Sequence, residues 1–253
     1  SQGISFVIAV IHLKRKNFVF DFQLPHFSIK THKLAAILKV GLPTAVQMVV
    51  VNLSYLLITG MLNQFGVSVA AASGVGLKIN TFAGMPCWAI GQAVTAMAGQ
   101  NIGAGDTIRV RKTTSTGLCL NLFITLVMVL LVQIFGKQLI LLFTPASPEV
   151  LAEGIVYLRI CCGVNSLVYA AMYTFDSFAI GTGAATIALF NALLDAVIVR
   201  LPVSWLLAFP FGLGYPGIYI GQALSPLLPA AAGLIYFKSK GWENKRILHL
   251  HRA

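Results

Sequence analysis

MPCWAIGQAVTAMAGQNIGAGDTIRVRK, residues 85–112, carries the information that decides the fold. It begins as apolar helix, with Gly84, Gly91 and Gly99 lowering its bulk at intervals. Small residues at that spacing let helices approach closely inside a bilayer, where packing drives association. The stretch then reaches a polar exit, GQNIGAGD, and runs into Arg109, Arg111 and Lys112. A basic cluster at the end of an apolar helix fixes the cytoplasmic side. One segment thus supplies a membrane span, a tight helix contact, a turn and an orientation signal. No P-loop lysine follows the glycines and no strand precedes them, so they cradle no phosphate.

The rest of the chain agrees with a membrane reading. Of its 253 residues 57% are hydrophobic and only 10% charged, with mean hydropathy +0.84. Soluble domains carry about 25% charged residues. The net charge of +11 lies in segments between spans, so it reads as topology and not as a nucleic-acid surface. His12, His26, His32, His249 and His251 all lie outside the spans. Cys87, Cys119, Cys161 and Cys162 fall in apolar segments without metal-ligand spacing and read as small core residues.

Taken in order, residues 1–13 read as the end of a truncated transmembrane helix, too short to cross alone. Residues 14–40 form a basic cytoplasmic linker in which FVFDF alternates briefly like a strand and 32–40 make a surface helix. The pattern predicts six spans between residues 41 and 237, about 41–63, 69–100, 114–135, 155–180, 186–209 and 216–237. A basic loop, 101–113, joins the second span to the third. Ser147-Pro148-Glu149 is a helix start: a serine cap, proline at the first position and an acid facing the dipole. Residues 238–253 form a basic, frayed tail. Every Lys and Arg except Lys78, Lys137, Arg159 and Arg200 falls on one side of this arrangement. Both ends of the six-span lobe are therefore expected in the cytoplasm, in the cell membrane.

Four stretches, LKVGLP (38–43), MPCWAIGQAVTAMAGQNIGAGD (85–106), SPEVLAEGIVYLRI (147–160) and VRLPVSWLLAFPFGLGYPGIYIG (199–221), occur in this order around the spans. Together they resemble the C-terminal six-helix lobe of a multidrug and toxic compound extrusion (MATE) transporter. The resemblance implies an all-α membrane fold, one of two homologous lobes of a twelve-helix protein, with the N-terminal lobe missing from this chain. It also implies antiport of H⁺ or Na⁺ against bulky amphipathic compounds, often cationic, with no other cofactor. Sodium-coupled members carry a glutamate where this chain has Val51 and an aspartate near Ala170, so that carboxylate site does not carry over.

Ionisable residues at membrane depth cost at least ~2.5 kcal/mol and point to function. Asp195 and Lys78 each lie about ten residues into their spans, with opposite sign. They are expected to form an ion pair across the lobe, which either holds two helices together or serves protons and cationic substrate. Asp176 is expected near the cytoplasmic end of its span, in reach of water. Arg200, ~140° around an α-helix from Asp195, is expected to anchor at the outer interface. Gln47, Asn52 and Ser54 offer hydrogen bonds toward the lobe interior, and Asn80, Gln92 and Asn121 are treated alike as helix glue. Met48, Met61, Met85, Met97, Met172, Tyr55, Phe82, Trp88 and Tyr173 either line an adaptable pocket for flat cations or face lipid. A flippase for lipid-linked sugars, which needs a more cationic cavity, and a non-transporting membrane fragment are the alternatives. No span holds a histidine and no H-E-x-x-H or G-x-S-x-G string occurs. An intramembrane enzyme is accordingly not expected.

Overall fold

The computed structural model describes residues 2–15, 31–144, 147–163, 165–239 and 241–243, and among these there is no strand. The chain divides into two units, Ser1–Leu38 and Lys39–Ala253. The first holds α1, Gln2–Arg15, and the opening turns of α2, Thr31–Leu62. Residues 16–30, with the FVFDF alternation, and residues 244–253 lie outside the described residues.

In the larger unit α2 gives way to a short 3₁₀ turn, Asn63–Phe65, and then to α3, Val67–Gly103. α4 covers Thr107–Phe143, α5 Pro148–Cys161 and α6 Asn165–Gly181. α7, Ala185–Leu193, passes through a π-helical segment, Leu194–Arg200, into α8, Leu201–Ala208. α9, Tyr215–Leu224, and α10, Leu227–Lys238, complete the order.

Four stretches are long and apolar enough to span a bilayer: Lys33–Phe65, Thr107–Phe143, Ala185–Ala208 and Tyr215–Lys238. The pair Pro148–Cys161 and Asn165–Gly181, bent by 50°, adds a fifth when counted as one broken span. The predicted second span is α3, long enough but less apolar than these. It packs against α4, α5 and α6 at once, so part of its surface meets protein and not lipid. The chain is an all-helical, multi-pass membrane protein.

Several boundaries differ from the sequence reading. The surface helix and first span are one continuous helix, α2, with Pro43 inside it. The loop expected at 101–113 shrinks to Ala104-Gly105-Asp106. Gly105 turns the chain with φ +77°, and the Asp106 carboxylate accepts the Arg109 backbone N–H at 2.8 Å. That N-cap pulls Arg109, Arg111 and Lys112 into the first turns of α4. The tail is ordered at its start: the Trp242 indole is buried among residues of α3, α4, α6 and α10. Arg111 lies 5.2 Å from that ring and pairs with Glu243 at 2.7 Å. The Ser147 cap stands as expected, accepting the Val150 N–H at 3.3 Å.

Glycine contacts set the helix spacing at particular points. A Cβ at Gly91 would lie 2.3 Å from the Tyr173 ring, and one at Gly99 3.3 Å from the Gly181 carbonyl oxygen. Gly84, expected to do the same, has nothing within 4 Å. Another tight crossing joins α8 and α9, where a Cβ at Gly221 would fall 2.6 Å from the Ser204 backbone nitrogen. Backbone cannot yield as a side-chain tip can. Gly221→Ala is expected to destabilise the protein by about 1–3 kcal/mol, read as a lower melting temperature in detergent. Gly60→Ala, with nothing within 4 Å, should leave it unchanged; equal effects would contradict the crossing.

Candidate functional site

The site grows from the π-helical segment LDAVIVR, residues 194–200. Pro202 follows directly, and its missing N–H leaves the carbonyl a turn upstream without its α-helical donor. The ladder here shifts to wider turns, and the Leu201 N–H reaches the Ala196 carbonyl, five residues back. In such a turn residues five apart stack. Asp195 and Arg200, which an α-helix would separate by ~140°, form a salt bridge between Nη2 and Oδ2. Their expected separation is corrected for that reason.

Both partners are buried, Asp195 to 2% and Arg200 to 3% exposure. Isolated charges at that depth are untenable, so the guanidinium is enclosed by further partners. Its Nη1 donates to Ser54 Oγ of α2 at 3.1 Å, and Nε to Ser225 Oγ, between α9 and α10, at 3.4 Å. Each hydroxyl gives its own proton to a helix carbonyl, Ser54 to Val51 and Ser225 to Gln222, leaving lone pairs for arginine. The Tyr55 ring lies 4.5 Å from Cζ, a cation–π contact. Arg200 therefore holds α2, the π segment and the α9–α10 turn together. Tyr55 also lines a cavity of about 30 Å³, together with Ile58, Ser73, Leu77, Tyr157 and Gln222.

Asp176 is the second buried acid, 4% exposed, so the expected access to water is corrected. The Asn191 side-chain amide of α7 donates to its Oδ1 at 2.6 Å. Asn191 precedes Asp195 by one helical turn, so the two acids belong to one buried polar row. Asn121 of α4, also buried, donates to the Thr174 hydroxyl at 2.9 Å and the Ala170 carbonyl at 3.3 Å of α6, which fits helix glue.

Lys78 stands apart. It is exposed on α3, so the expected Lys78–Asp195 pair is replaced by Arg200–Asp195. Similar depth on two helices says nothing about rotation, and rotation decided the outcome. Arg200, expected at the interface, is inside. Gln47 and Asn80 are half-buried, whereas Asn52 is exposed and donates to the Met48 carbonyl of its own helix at 2.7 Å. Of the three polar residues expected to face inward on α2, Ser54 does so fully. Cys87, Cys161 and Cys162 are buried as expected, and Cys119 is exposed. The sequence reading missed Asn191 and Ser225. Asn191 carried a signal, its four-residue spacing from Asp195.

A family profile, MatE, matches residues 43–206, which include Ser54, Lys78, Asp176, Asp195 and Arg200. The chain belongs to the MatE family. Among MatE relatives it is 29% identical over 259 residues to "Probable multidrug resistance protein YpnP" of Bacillus subtilis, covering 98% of this chain and 54% of that protein. It is 26% identical over 217 residues to "Probable multidrug resistance protein NorM" of Thermotoga maritima, covering 86% and 46%. The chain thus spans about half the length of the curated relatives it matches. Its fold matches the solved structure "Reverse polarity of binding pocket suggests different function of a MOP superfamily transporter from Pyrococcus furiosus Vc1 (DSM3638)" with TM-score 0.85. That match has 19% identity and covers 92% of this chain and 52% of the other.

Removing one member of a buried pair leaves the other charge uncompensated. Arg200→Met is expected to destabilise this MatE chain by about 3–5 kcal/mol. Ser54→Ala, which removes one acceptor, should cost about 1.5–3 kcal/mol. Thermal unfolding of the purified full chain in detergent checks the order; equal losses would mean Arg200 does not organise the cluster.

Proposed function

We propose that the chain forms one lobe of a secondary multidrug efflux transporter, paired with a second, N-terminal lobe of similar build. It works by alternating access in the cell membrane, exchanging H⁺ or Na⁺ for bulky amphipathic compounds. The MatE match across residues 43–206 carries this reading. Relatives named as multidrug resistance proteins and matched over about half their length support it. Two homologous lobes about an axis normal to the membrane is a known transporter plan. The placement of Lys and Arg supports cytoplasmic ends for the lobe.

The row Asp176, Asn191, Asp195 and Arg200 is the proposed ion-linked element. The second carboxylate oxygen of Asp195 has no hydrogen-bond partner among the described residues. A proton or small cation reaching it would weaken the hold on Arg200 and, through Ser54 and Tyr55, on α2. Gln47 and Asn80, half-buried, and Asn52 and Lys78, exposed, are proposed to border the substrate path. No acid stands at Val51 or Ala170, so coupling in this lobe rests on the deeper pair.

The full-length protein, expressed in a drug-sensitive bacterial strain, is expected to lower accumulation of at least one dye in a panel of cationic, neutral and anionic amphiphiles. Unchanged retention of every dye would sink the efflux reading. Asp195→Asn, present in the membrane at wild-type level, should reduce that efflux about tenfold or more. Efflux at the wild-type rate across the pH range would make Asp195 purely structural.

A further inference from the structure

Lys78 is a charged residue of α3 that neither the buried row nor the ends of that helix explain. It lies eleven residues into α3 from Val67, ~16 Å of helix, farther than a lysine stem spans. Its neighbour Leu77 lines the cavity shared with Tyr55, and Tyr55 covers Arg200. Lys78 therefore lies well inside α3, on the exposed side of its helix.

The same face continues with apolar and aromatic groups. At helical spacing from Lys78 come Phe82, 69% exposed, and Met85, 50% exposed, then Gln92. Trp88 borders them, its Nε1 donating to the Tyr169 hydroxyl at 3.2 Å, and Tyr169 stacks on Tyr173 with centroids 6.1 Å apart. The aromatic surface is braced by its own contacts.

Among the described residues no acid pairs with Lys78. The chain has seven acidic residues, and Asp21 lies outside the described ones. Asp106 caps α4, and Glu243 pairs with Arg111. Glu149 and Glu153 belong to the start of α5, where Glu149 accepts the Ser68 hydroxyl at 3.0 Å, ten residues before Lys78. Asp176 and Asp195 are buried and engaged by Asn191 and Arg200. At membrane depth, among the described residues, the exposed face of α3 thus presents one positive charge and no negative one. Ionisable residues at such positions line substrate or ion paths.

Resting on the efflux reading above, we infer that Lys78 selects substrate by charge: this lobe takes anionic amphiphiles with an aromatic body. Their acid group meets the Lys78 ammonium, and their rings lie along Phe82, Met85 and Trp88. A cation on the same face would meet repulsion from Lys78, and among the described residues no exposed carboxylate on α3 would draw it there.

The test uses the full-length protein in inverted membrane vesicles with two probes, 8-anilinonaphthalene-1-sulfonate as anion and ethidium as cation. The wild type is expected to move the sulfonate in preference to ethidium. Lys78→Gln should slow sulfonate transport about tenfold or more and, with the repulsion removed, raise ethidium transport. Lys78→Arg should keep the wild-type preference. Transport of ethidium without the sulfonate by the wild type overturns the inference, whatever the variants do. So does an equal loss of both probes in Lys78→Gln, which would mark Lys78 as a contact to lipid or to another helix. A wild type that moves no dye of the wider panel brings down the efflux reading itself, which separates that failure from this one.

Discussion

The lobe depends on where one buried guanidinium finds its partners. Arg200 sits at 3% exposure, where its charge needs a carboxylate, hydroxyl acceptors and an aromatic face together. Asp195 supplies the first, Ser54 and Ser225 the second and Tyr55 the third. Those groups come from α2, from the π segment and from the α9–α10 turn. Satisfying one charge therefore fixes the mutual placement of three parts of the chain. Few other forces could do so, because lipid tails are as apolar as the leucines between the helices.

The remaining constraints are steric and come from small residues. Gly91 admits the Tyr173 ring, Gly181 lies against the Thr95 carbonyl of α3 and Gly221 against the Ser204 backbone. These contacts bring α3 to α6 and α8 to α9 at backbone distance, while Asn121 adds hydrogen bonds between α4 and α6. At one end Trp242 closes the bundle among α3, α4, α6 and α10. Exposed, meanwhile, are an aromatic strip on α3 and Lys78. Inside, Arg200 has its carboxylate; on the exposed face of α3, Lys78 has none among the described residues.

Fold class was legible because membrane burial acts on composition. Few charges, long apolar runs and a one-sided distribution of Lys and Arg leave little other choice, and the Ser147-Pro148-Glu149 start reads directly from cap chemistry. The ion pair was not legible, because placing residues by 100° per position assumes α-helical hydrogen bonding throughout. Pro202 marks where that assumption fails, yet proline at a helix start is common and gives no sign of a wider turn behind it. Asp176 was misread for a related reason. Depth along a helix can be counted from sequence, but rotation toward Asn191 cannot when nearly every neighbour is apolar. Lys78 illustrates the same limit: the acid expected to pair with it pairs with Arg200 instead.

A double-mutant cycle in the full-length protein tests the central claim most directly. Unfolding free energies in detergent would be measured for wild type, Asp195→Asn, Arg200→Gln and the double variant. If the buried pair organises the lobe, the double variant loses less than the sum of the two single losses, with a coupling of about 3 kcal/mol or more. Losses that add within about 0.5 kcal/mol would show that the two residues act independently and contradict the account.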